Sequence, residues 1–60
     1  MDSENKIHYQ IQWHGPYGLE VIEDDYYTKS YANYLRTEYS LAYGGGVKLV
    51  REGQKGFIVF

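Results

Sequence analysis

The sequence predicts an α+β fold of order β-β-α-β-β, a four-stranded, mostly antiparallel sheet with one helix packed on one face. Three observations predict it. Residues 7–14 alternate apolar and polar side chains without a fault. A single helical stretch, 28–44, carries its own start and stop signals. Two short apolar runs follow it, 47–51 and 57–60, separated by a turn containing Gly53 and Gly56.

The first strand is the clearest. Ile7, Tyr9, Ile11 and Trp13 point one way, and His8, Gln10, Gln12 and His14 the other. A period of two with one apolar side specifies a sheet with one buried face. Gly15-Pro16-Tyr17-Gly18 is a turn, because proline presets φ and glycine accepts unusual dihedrals. Residues 19–23 form the second strand, with an extension as far as Tyr27 left open, and it pairs with the first as a hairpin with a loop of about four residues. Glu23, Asp24 and Asp25 then precede the helix, where acids are favoured by its dipole.

Thr28 is the expected N-cap, since its hydroxyl accepts from a first-turn amide. Tyr27 and Ala32 occupy the two positions of a hydrophobic staple. Gly44 is the natural residue after the last turn, free to take positive φ. At about 100° per residue, Ala32, Leu35, Tyr39 and Ala42 form one stripe, while Tyr34 and Leu41 fall opposite. The expected core is Ile7, Tyr9, Ile11, Trp13, Leu19, Val21, Ala32, Leu35, Tyr39, Ala42, Val47, Leu49, Phe57 and Val59.

Length and charge bound the function. Sixty residues make one small α+β domain over 1–60, with residues 1–5 expected to be disordered. A chain this short buries about 60% of its unfolded surface, so its stability is roughly 3–9 kcal/mol. There is no cysteine to supply a disulfide or a thiolate ligand. A net charge of −2 with scattered cations argues against nucleic acid as partner. No apolar run approaches about 18 residues, so no membrane span is expected. The first residues lack the pattern of a signal peptide. With no cysteine, this reads as a cytoplasmic protein.

No motif carries chemistry. His8 and His14 share a strand face but stand about 20 Å apart, too far to chelate one ion. Glu23, Asp24 and Asp25 lack calcium-loop spacing. Gly44, Gly45 and Gly46 follow a helix, whereas a phosphate cradle precedes one. No local spacing joins Ser30 or Ser40 to a histidine and an acid. No cofactor, metal or catalytic residue is therefore expected.

Eight of the sixty residues are tyrosine. Tyrosine gives contact area at low entropic cost and is enriched at interface centres. The expected function is a small non-enzymatic protein–protein interaction module. A regulatory or phage-type inhibitor of a larger enzyme is one form of it. The partner is another protein or a second copy of the chain. Its candidate contact residues are Tyr34 and Leu41 on the outer helix face, Tyr17 and Tyr26 near loops, and the polar strand face of His8, Gln10, Gln12 and His14. The alternative is a single-stranded nucleic-acid binder using that polar face.

Overall fold

The computed structural model describes residues 5–60. The expected disorder over 1–5 lies, for residues 1–4, outside the described residues. The elements are β1 (Ile7–Gly15), β2 (Gly18–Tyr27), α1 (Lys29–Tyr43) and β3 (Val47–Arg51). The three strands make one antiparallel sheet in the order β2-β1-β3, so the fold is α+β. The most regular strand of the sequence lies at the centre, where both its edges are paired. Glu52 N–H extends its pairing with β3 by donating to His8 O at 2.9 Å.

Cross-strand partners share a face of an antiparallel sheet. Tyr9 stands opposite Arg51, Ile11 opposite Leu49, and Trp13 opposite Val47. On the other face Gln10 stands opposite Val50, and Gln12 opposite Lys48. Pairing with β2 slips by one residue: Ile11 faces Glu23, but the next residue, Gln12, faces Val21. The bulge at Ile22 reverses the alternation of β2. Leu19 and Val21 therefore lie opposite His14 and Gln12 rather than beside Ile11, where the sequence pattern had placed them. Leu19 is exposed. The inward position next to Ile11 belongs instead to Glu23. The hairpin turn is also tighter than expected, because Gly15 pairs Gly18 and only Pro16 and Tyr17 bridge them. Both keep negative φ, and Gly18 takes the unusual dihedral at +112°.

The helix starts and stops where its signals lie. Thr28 Oγ1 accepts from Tyr31 N–H at 3.3 Å. Gly44 ends the helix at φ 76°, its N–H donating to Ser40 O at 3.0 Å. No acid lies in the first turn. Glu23, Asp24 and Asp25 are strand residues of β2, which runs on to Tyr27. Ala32 is completely buried. Side chains tie α1 to the strands at three places. The Tyr39 hydroxyl donates to Glu23, Trp13 meets Tyr43 with ring centroids 4.7 Å apart, and Tyr27 meets Tyr31 at 5.5 Å. Ala42, expected inside, is exposed.

The expected fourth strand does not form. Residues 57–60 belong to no ladder, and the sheet has three strands among the described residues. This segment crosses the face of the sheet instead of extending its edge. Gln10 Nε2 donates to Ile58 O at 2.6 Å, and Ile58 N–H donates to Gln10 Oε1 at 3.0 Å. Gln12 Nε2 donates to Gly56 O at 2.9 Å and to Gln10 Oε1 at 2.8 Å. A glutamine amide offers one acceptor and a donor pair, so it can imitate a strand partner. Gln10 and Gln12 are consequently 0% exposed, and Val50 beside Gln10 is buried. Val59 is 86% exposed, not part of the core. Buried apolar residues are Tyr9, Ile11, Ala32 and Val50.

Replacing Gln10 by Ala removes both bonds to Ile58. The expected loss is about 1–3 kcal/mol of stability, read by urea unfolding. The Ile58 amide should also lose its hydrogen-exchange protection. An unchanged exchange rate would contradict the bonding described.

Candidate functional site

The residues singled out from the sequence separate into three places. His8, Gln10, Gln12 and His14 do share one face of β1, but that face is not open. Gln10 and Gln12 are sealed beneath residues 56–58, while His14 is exposed. The stacking platform needed for single-stranded nucleic acid is thus covered. Tyr17, at the hairpin tip, is 97% exposed. It stands nine residues from Tyr26 along β2, or about 30 Å in an extended strand. These two tyrosines therefore do not share a surface. Tyr34 and Leu41 are both exposed on α1.

His8 is the hub of one polar cluster. Its Nε2 meets Asp24 of β2, and its Nδ1 lies 3.1 Å from Glu52, just past β3. Tyr26 stacks on the imidazole at 4.7 Å, and Phe57 meets it edge-on at 4.9 Å. The hydrogen bond to Asp24 holds the His8 pKa above its usual value, against partial burial, with Glu52 acting in the same direction. Two carboxylates on opposite ring nitrogens suit the doubly protonated imidazolium. The ring stands between the acids, so the three do not converge on one point. No group of three or more His, Asp or Glu among the described residues can hold a metal ion.

Glu23 is the hub of a second cluster, next to Ile11 in the sheet. It accepts from the Tyr27 hydroxyl at 2.8 Å and from the Tyr39 hydroxyl at 2.5 Å. Burial, then the bond to Glu23, pushes the Tyr27 phenol upward. For Tyr39 the bond to Glu23 comes first and burial second. Both phenols are proton donors to a carboxylate, so both resist ionisation.

The third place is aromatic. Tyr27, Tyr31 and Tyr34 follow one another with centroid separations of 5.5 and 6.0 Å. Tyr26, Tyr27 and Tyr31 also line an open hollow of about 650 Å³ with Lys6, Asp25 and Thr28. The hollow joins Tyr26 to Tyr34 through Tyr31, a residue not singled out from the sequence. Its position three before Tyr34 on α1 and four after Tyr27 is the signal that links them. No helix among the described residues is long and apolar enough to cross a membrane. No protein-family model, curated protein or solved structure matches the chain.

The His8 cluster makes stability depend on pH with a defined sign. A histidine whose folded pKa is raised stabilises fully below its unfolded value, here 6.5, and loses this as pH rises through the folded value. The thermal midpoint should fall as the pH is raised above the ordinary histidine value of 6.5. In His8→Gln that step should disappear. An identical pH profile in the variant would remove His8 as the cause.

Proposed function

We propose that this chain is a non-enzymatic module that binds another protein through the tyrosine surface at the start and outer side of α1. The observation that carries the reading is the run Tyr27-Tyr31-Tyr34 opening onto the hollow beside Tyr26. Tyr26, Tyr31 and Tyr34 are 56%, 48% and 56% exposed, yet they adjoin one another. Scattered exposed apolar residues are ordinary; contiguous aromatic area is what interfaces use. Leu41, 76% exposed, extends the surface two turns along α1 from Tyr34. A larger enzyme held in check by such a module is the partner class this reading favours, with a second copy of the chain as the competing occupant.

The reading is tested by capture from lysate and by sedimentation. Tyr34→Ala with Leu41→Ala should weaken partner capture by about tenfold or more, with the fold intact by circular dichroism. Tyr17→Ala, at the far hairpin tip, should leave capture unchanged. If the double variant retains the same partners equally well, this surface is not the site. A dimer at micromolar concentration that the double variant abolishes would assign the surface to self-association.

A further inference from the structure

A notch of about 300 Å³ is lined by Tyr9, Lys29, Asn33, Leu49, Arg51 and Gln54. The fold assembles it from four segments. Tyr9 and Arg51 are direct cross-strand partners, and Leu49 precedes Arg51 by two residues on the same sheet face. Lys29 opens α1, and Asn33 sits one turn later. Gln54 is held in the following turn because its Oε1 accepts from Arg51 N–H at 2.9 Å.

The lining is cationic in an acidic chain. The protein has six Lys and Arg against eight Asp and Glu, yet two cations and no acid line the notch. The ion pairs among the described residues belong to His8, so neither Lys29 nor Arg51 has a carboxylate partner there. Tyr9 is only 4% exposed, and its hydroxyl has no hydrogen-bond partner among the described residues. Among the described residues the one fully buried polar side-chain atom without a partner is Gln12 Oε1, so the Tyr9 hydroxyl reaches solvent. Tyr9 is buried and Leu49 half-buried, while Lys29 and Arg51 are exposed and open to a ligand from solvent. The first turn of α1 adds its dipole with the same sign.

We propose that the notch binds the phosphate dianion of a small phosphomonoester. Two full positive charges match two negative charges, whereas a monocarboxylate would leave one cation unpaired. The planar fork of Arg51 suits two phosphate oxygens, and Lys29 provides a point charge for a third. The Tyr9 hydroxyl and Gln54 Nε2 supply neutral donors. The volume sits at the small end of ligand pockets, which fits a phosphate with a short organic group against Leu49. This site is separate from the tyrosine surface, so either reading stands if the other fails.

The test is a nitrogen-15 NMR titration of the whole chain near pH 7.5, with inorganic phosphate in one arm and glycerol 3-phosphate in the other. Saturable amide shifts are expected at Lys29, Arg51 and Gln54. Tighter binding of the ester assigns the organic part to the Leu49 floor; equal binding assigns the notch to free phosphate. Arg51→Gln and Lys29→Gln should each weaken binding about tenfold or more. Lys48→Gln, on the opposite sheet face, should not change it. Shifts that never saturate, or that weaken equally in Lys48→Gln, would overturn the proposal. So would an Arg51→Gln chain that keeps its fold and binds as tightly as before.

Discussion

The side-chain amide of Gln10 is the constraint on which the rest of the structure depends. It meets both backbone groups of Ile58, the pairing a neighbouring strand would make. The edges of β1 are already occupied by β2 and β3. A further segment can bond to β1 only through side chains that stand out from the sheet. Gln10 and Gln12 do so in sequence, with Gly56 over Gln12 and Ile58 over Gln10, so the final segment runs antiparallel to β1 across the face. The cost is visible in the same place. Gln12 Oε1 is buried and unpaired, a penalty of about 1–3 kcal/mol offset by the two acceptors its amide nitrogen satisfies.

Consecutive acids in β2 serve opposite faces for the same geometric reason. Neighbouring strand residues point to opposite sides. Glu23 turns toward Tyr27 and Tyr39, and Asp24 toward His8. Each carboxylate thus joins its strand to a different layer: Glu23 to α1, Asp24 to the His8 and Phe57 contact beneath the final segment. What reads along the chain as one acidic run is two separate anchors. With four apolar residues buried among the described residues, tethers of this kind carry a larger share of cohesion than in a bigger domain.

The same arrangement decides which surfaces remain for partners. The polar side of β1 is spent on internal bonding, so its glutamines are structural. The tyrosines around the start of α1 stay outside, because the sheet and the final segment have no further face to offer them. Tyrosine tolerates this position, since its ring packs on neighbours while its hydroxyl stays wet. The notch beside Lys29 and Arg51 lies between these territories, at the seam of helix and sheet.

Much of the fold was legible in the chain. The alternation of residues 7–14, the caps Thr28 and Gly44, and the order of the first four elements follow from local periodicity and dihedral preference, which need no distant contact. The outward placement of Tyr34 and Leu41 follows from the helical period alone. Three things were not legible. The bulge at Ile22 reverses the faces of Leu19 and Val21, because pairing with β1 and not the local pattern sets the register. The sequence left Glu23 to Asp25 open between a strand running on to Tyr27 and a lead into the helix, and only partners across the sheet decide for the strand. The final segment has apolar residues on both sides, so its sequence favours neither an edge nor a face. Only the folded sheet, with both edges of β1 filled and two glutamine amides raised above it, placed that segment and closed the polar face.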